Sequence, residues 1–202
     1  MKVLLGISGA SGAVYGVRTL SLLLARGVDA HVLVTKTAWG ILSAEVWDGN
    51  LPGGIAARRK GLARLSSSSR PFRLYAEDDF GIPFASGSNA PDAMIIAPCS
   101  MGTLGRIAAG VSSSVLTRCA DVALKERKPL VLVARETPLS VIHLENMLTL
   151  ARAGAHVLPA CPGFYHRPET VSGLVDFVVS RALSCIGIDA GVLPRWGEGK
   201  ED

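Results

Sequence analysis

The residues able to do chemistry in this 202-residue chain fall just behind its apolar runs. Val3, Leu4 and Leu5 run into Gly6, and behind them come Ser8, Gly9, Ala10, Ser11 and Gly12. Asp29 to Val34 ends at Thr35 and Lys36, and Asp92 to Ala97 leads to Cys99, Ser100 and Thr103. Pro129 to Ala134 ends at Arg135 and Glu136, and Ala155 to Leu158 leads to Tyr165, His166 and Arg167. Lys125, Arg135, Tyr165 and Arg181 make an electrostatically sensible set for a phosphate, and Glu136 beside such cations could move a proton as a phosphate departs. Each also has a plainer reading. Ser100 and Ser114 serve as helix caps, the better account of Ser114, and Arg127 and Lys128 answer a helix dipole. Glu45 lies on an amphipathic helix, where a surface position is usual. Arg118 and Lys125, seven residues apart, share one helix face two turns apart. Arg135-Glu136, directly behind a buried strand, is a structural ion pair or an active-site pair, and the second reading is preferred. One such strand ending is ordinary turn chemistry; five together read as a site.

The opening stretch, MKVLLGISGASGAVYGVR, reads as a strand, a turn of tiny residues and a helix start, whose free N–H groups and dipole favour an anion. A turn needed only for close strand–helix packing accounts for it equally well. Neither G-x-G-x-x-G nor a Gly-Lys-Ser/Thr phosphate loop is present. Ser11 has no G-x-S-x-G elbow and no nearby His-Asp pattern, which argues against an acyl-transfer nucleophile. No His, Cys, Asp or Glu set has metal-ligand spacing, so no metal is expected. The four cysteines form no C-x-x-C pair and read as small apolar residues in a reducing compartment, with Cys99 in Pro98-Cys99-Ser100 the one to watch.

These residues need elements to position them. Ala13, Val17, Leu20 and Leu24 share one side of a helix over 13–26, which Gly27 stops. A helix carries Ala38 to Val46, a short one runs from Met101 to about Ala109, and another spans about 112–126. Thr137 as N-cap with Pro138 behind it predicts a helix that reaches Ala153 and stops at Gly154. Thr170 to Ile186 is the last long helix. Residues 48–74, with Gly, Pro, Ser66 to Ser69 and a cluster of arginines, read as a mobile irregular excursion without a core of its own. Continuous apolar strands alternating with helices specify a parallel sheet covered on both faces. The expected fold is therefore α/β, a three-layer flavodoxin-like or Rossmann-like arrangement forming one domain over 1–202, with a C-terminal tail from 187.

Composition bounds the partners. The chain is 49% hydrophobic and 19% charged with a mean hydropathy of +0.35, but no apolar run approaches the ~20 residues of a span. No secretory leader pattern is read at the start. A cytoplasmic homo-oligomer whose contacts cover the apolar excess is expected. The net charge of +4 falls largely in the Gly/Ser-rich excursion, without interleaved aromatics, so nucleic acid is not expected as a partner.

Four blocks, GISGASGAVYGVR, APCSMGTLGRIAAG, LTRCADVALKERKPLVLVARETPLS and PGFYHRPET, resemble the UbiX-type flavin prenyltransferases. The resemblance runs from Met1 to about Val46 and from about Ala85 to Trp196, leaving 48–74 unmatched. It implies FMN bound at the strand edge by Gly9, Ala10, Ser11, Thr35, Ser100, Met101, Gly102, Thr103 and Arg135. It also implies that Lys125, Tyr165 and Arg181 hold the phosphate of a dimethylallyl phosphate donor. Arg118, Glu45 and Trp196 match positions lining that site, often across subunit boundaries. The implied reaction joins the prenyl group to N5 and C6 of reduced FMN, with Glu136 managing protons, Ser11 orienting the reacting groups and Glu45 and Lys125 in catalytic positions. Prenylated FMN would serve a UbiD-type decarboxylase, and the resemblance implies a dodecamer.

Two rivals stand beside it. A flavin-dependent cysteine decarboxylase of the same superfamily would carry a P-A-S-A-N-T block and a catalytic His; this chain has APCSMGT there and His31 in mid-strand. An accessory subunit that only holds FMN for a decarboxylase is the other. Intact Lys125, Glu136, Tyr165 and Arg181 argue against it.

Overall fold

The structure, a computed structural model, describes residues 1–193. Six apolar runs form strands: β1 (Lys2–Ile7), β2 (Asp29–Val34), β3 (Arg73–Tyr75), β4 (Ala93–Cys99), β5 (Leu130–Ala134) and β6 (His156–Pro159). All described pairings are parallel, and the order is β3-β2-β1-β4-β5-β6. The chain reverses its direction of growth between β1 and β4, which opens a crevice at their carboxyl ends. β1, β4 and β5 are apolar nearly throughout because both faces are covered.

One face carries α1 (Ala13–Ala25), α2 (Lys36–Glu45), α3 (Ile55–Leu65) and α7 (Val171–Ser184). Leu20, Leu23, Leu42 and Val178 pack there against Val3, Leu5 and Val131. The other face carries α4 (Met101–Ala108), α5 (Val115–Lys125) and α6 (Val141–Arg152), with Leu104, Leu116 and Ala120 against Leu4, Ile96 and Leu132. Arg18 of α1 reaches Asp176 of α7 through two hydrogen bonds, from Nε to Oδ1 and from a terminal nitrogen to Oδ2.

Two expectations are corrected. Residues 48–74 are not an irregular excursion without a core. They hold the 11-residue α3 and the start of β3, and Leu62 is fully buried with Phe72 and Leu74 in the core beneath it. Gly61 makes this docking possible, since a Cβ there would lie 1.9 Å from the Trp47 ring. The helix behind β5 begins not at Pro138 but at Val141. Ser140 caps it by accepting the N–H of His143, whose ring accepts the N–H of Ser140 in return. Ser114 does cap α5, in a reciprocal pair with Thr117.

Candidate functional site

The turn behind β1 already holds an anion of the protein's own. The Glu45 carboxylate, from the last turn of α2, accepts the N–H of Gly12 at 2.9 Å and of Ala13 at 2.8 Å. Of the two readings of this turn, an anion site and a packing turn, both remain, with the first N–H groups of α1 taken up by a side-chain carboxylate. Burial raises the Glu45 pKa, but the Ser11 hydroxyl, those two N–H groups and Arg135 together hold it below the usual carboxylate value. Gly12 needs its glycine: its φ is +101°, and a Cβ would lie 2.9 Å from the Tyr15 ring. Arg135 donates from Nε to the Ser11 carbonyl at 2.9 Å, tying the end of β5 to the same turn. Ser11, Glu45 and Arg135 thus meet, and Glu136 follows Arg135 as an exposed carboxylate that accepts only the N–H of Thr137, at 3.1 Å, among the hydrogen bonds described.

The second assembly is the start of α4. Ser100 caps it, accepting the Thr103 N–H at 3.3 Å and donating from its hydroxyl to Thr103 Oγ1 at 3.1 Å. Arg106 folds back to the same Thr103 oxygen at 3.3 Å. This lays a guanidinium along the first turn of the helix, beside Gly102. Cations at a helix N-terminus are unfavourable unless an anion joins them, so hydroxyls, free N–H groups and Arg106 suit a phosphate-bearing ligand. Thr35 caps α2 through the Ala38 N–H at 3.2 Å, and Gly9 touches Thr37 so closely that a Cβ would lie 2.6 Å from its methyl. The Lys36 N–H is taken by the Glu77 carboxylate. The expected flavin contacts Gly9, Ala10, Ser11, Thr35, Ser100, Met101, Gly102, Thr103 and Arg135 all lie on this carboxyl edge.

The remaining residues lie elsewhere in the chain. Lys125 ends α5 and precedes the start of β5, whereas Arg135 follows its far end. Five strand residues at about 3.3 Å each separate those two edges by about 16 Å. Lys125 pairs with Glu126, and Arg118 with Asp121 at 2.8 Å and the Ala85 carbonyl at 3.0 Å. Tyr165 and Arg181 share a groove of about 410 Å³ along α7 with Phe177 and Ser180. Lys125 therefore lies at the opposite edge of the sheet from Arg135, and neither of them lines the groove of Tyr165 and Arg181. Trp196 lies outside the described residues.

Cys99 is fully buried, and burial pushes its thiol up to about 12, which removes it as a nucleophile. Among the described residues no cluster of three or more His, Cys, Asp or Glu could hold a metal. No described helix is long and apolar enough to cross a membrane. Sequence reasoning passed over Arg106 and Glu77. Arg106 had one available signal, its place three residues behind Thr103 on a helix. Glu77 had none, since it acts on a residue 41 positions away.

A doubly wound sheet with hydroxyl-rich turns at its switch point defines a mononucleotide-binding protein. The Flavoprotein family matches residues 1–183. The flavin prenyltransferase UbiX of Pseudomonas aeruginosa is 48% identical over 198 residues, covering 98% of this chain and 94% of that protein. The crystal structure of AnUbiX (PadA1) in complex with FMN and dimethylallyl pyrophosphate superposes with a TM-score of 0.85 at 36% identity, over 96% of each chain. A dodecameric FMN-dependent UbiX-like decarboxylase from Escherichia coli O157:H7 gives 0.84 at 39% identity, over 97% of this chain and 98% of that one. The chain belongs to the flavoprotein family and, within it, to the UbiX flavin prenyltransferases. The segment 48–74, unmatched in the four sequence blocks, lies inside the aligned span.

Proposed function

We propose that this protein transfers a dimethylallyl group from a dimethylallyl phosphate to reduced FMN. The observation that carries the reading is the meeting of Ser11, Glu45 and Arg135 at one turn, beside the Ser100–Thr103 turn, in a chain 48% identical to a flavin prenyltransferase. Reduced FMN supplies the nucleophilic N5 and C6 positions to which the prenyl group is joined. Gly9, Ala10, Ser11, Thr35, Ser100, Met101, Gly102, Thr103 and Arg135 hold the flavin. The Ser100–Thr103 turn with Arg106 offers the donors a phosphate-bearing flavin needs, and Gly102 leaves room for close approach. Glu45 stays ionised and keeps Ser11 and the turn in place. Glu136, exposed beside Arg135, handles the proton that the ring closure releases.

The donor's phosphate is held by Lys125, Tyr165 and Arg181, with Arg118 and Trp196 lining the site. Lys125 lies at the opposite edge of the sheet from the flavin turns, so the complete site forms where neighbouring subunits meet. The exposed apolar face of α6, with Val141 70%, Ile142 68% and Leu148 50% exposed, supplies contact surface for such an assembly. A dodecamer, as in the Escherichia coli relative, is the proposed form. The product is passed to a UbiD-type decarboxylase. One experiment tests the reading directly: phosphate released from dimethylallyl phosphate should track consumption of reduced FMN one to one. Release that continues without FMN would mean simple hydrolysis and would refute transfer.

A further inference from the structure

The turns behind β1 and β4 are joined by a buried hydroxyl that none of the flavin contacts above includes. Ser8 is 1% exposed. Its Oγ accepts the Ser100 N–H at 2.8 Å and donates to the Pro98 carbonyl at 2.9 Å. The backbone N–H of Ser8 donates to the same carbonyl at 3.2 Å.

The need for this bridge follows from the strands. The β1–β4 ladder runs from Val3 opposite Ala93 to Gly6 opposite Ile96, and between Ile96 and Cys99 the register of β4 against β5 shifts. Pro98 in that shift has no N–H to offer. Beyond it the chain must leave the sheet and deliver Ser100 as the cap of α4, and there the Ser8 hydroxyl takes up the Ser100 N–H.

A count of protons shows what the bridge directs. The Ser8 hydroxyl accepts the Ser100 N–H and donates to the Pro98 carbonyl at 2.9 Å, with the Ser100 hydroxyl as a longer second acceptor at 3.4 Å. The Ser100 hydroxyl proton is directed to Thr103 Oγ1, which also accepts from Arg106. Thr103 then receives two donors, and its own proton is committed to no described partner. The chain of bonds ends in a polarised donor at the turn assigned to the flavin.

We propose that Ser8 is a positioning residue for flavin binding: its hydroxyl fixes the backbone of Ser100, and through it the orientation of the Ser100–Thr103 donors. The inference rests on the flavin being held at that turn. Its test is FMN affinity, read from quenching of flavin fluorescence, together with the KM for reduced FMN, the KM for dimethylallyl phosphate, kcat and the melting temperature of ligand-free protein. Ser8→Ala, and the nearly isosteric Ser8→Cys should Ser8→Ala not fold, are expected to weaken FMN binding about tenfold, the effect of one or two lost hydrogen bonds. The KM for reduced FMN should rise in parallel, with kcat at saturation and the donor KM unchanged. Ser8→Thr, which keeps the hydroxyl, should recover most of the affinity. A lowered melting temperature with wild-type FMN affinity in either folded variant would make Ser8 purely structural and overturn the proposal. Thr103→Val separates this failure from that of the flavin reading. If Thr103→Val weakens FMN binding and the Ser8 variants do not, only the Ser8 proposal falls; if Thr103→Val binds FMN as the wild type does, both fall.

Discussion

Glu45 and Glu136 are two carboxylates near one turn with opposite circumstances. Glu45 accepts two backbone N–H groups, whereas Glu136 is exposed and bonded only to its neighbour's N–H among the hydrogen bonds described. Their substitutions should therefore differ. Glu136→Gln should keep FMN affinity within a few-fold while turnover falls about 100-fold or more, as loss of a proton-transfer group does; loss of FMN binding instead would make Glu136 structural. Glu45→Gln should act on stability as well as turnover. A carboxyl whose folded pKa is depressed contributes stability above its unfolded pKa, and that contribution is lost as pH falls through the folded value. Melting temperatures between pH 6 and pH 3 (roughly the carboxylate range) should drop more steeply for wild type than for Glu45→Gln, and parallel curves would contradict the assignment. Chain chemistry made the Arg135-Glu136 pair legible in the sequence. The Glu45 contact with Gly12 was not legible, because 33 residues and a strand separate them and periodicity carries no information across that gap.

At the scale of elements, the strands were legible because parallel strands buried on both faces must be continuous apolar runs. The segment 48–74 was not. Its helix α3 has two glycines before it and arginines along it, and it is held by few anchors, chiefly the fully buried Leu62. Composition therefore spoke for a loop while a single side chain fixed the helix. Leu62→Ala should cost about 2–5 kcal/mol, the range for emptying a buried leucine site, and should lower the urea midpoint with the m-value unchanged; an effect below about 0.5 kcal/mol, the size of an ordinary surface change, would return the segment to the status of an excursion. The start of α6 was misplaced for a related reason: Ser140 with His143 makes a capping pair outside the usual Ser/Thr-x-x-Glu/Gln pattern. On the far side of the sheet, His31 lies buried in β2 against the Tyr75 hydroxyl at 2.8 Å, with Asp29 at 3.3 Å and the ring of Phe84 edge-on. Burial lowers its pKa from the ordinary 6.5, outweighing the opposing effect of Asp29, and Arg73 and Lys2 lower it further. The unfolded chain then binds a proton that the fold resists, so stability should fall as pH drops below about 6.5. His31→Gln should flatten that part of the stability curve, and an unchanged slope would show that other groups cause it.

At the scale of the whole molecule, Lys125 at the end of α5 lies across the sheet from the carboxyl edge that carries Arg135, and the α7 groove holds Tyr165 and Arg181. Sequence motifs named these residues without placing Lys125 across the sheet from Arg135, since a motif records residues and not the edge that carries them. Ile142→Glu with Leu148→Glu on the exposed face of α6 should yield smaller assemblies by light scattering. FMN affinity should then fall far less than donor-dependent turnover, and an unchanged mass would place the contacts elsewhere. The most direct measurement for the whole account is the mass of the flavin recovered after anaerobic incubation of the protein with reduced FMN and dimethylallyl phosphate or the diphosphate. The flavin should be heavier by one prenyl group with the wild type, and the product rate should be lower by about 100-fold with Glu136→Gln. Flavin of unchanged mass with both donors would contradict it.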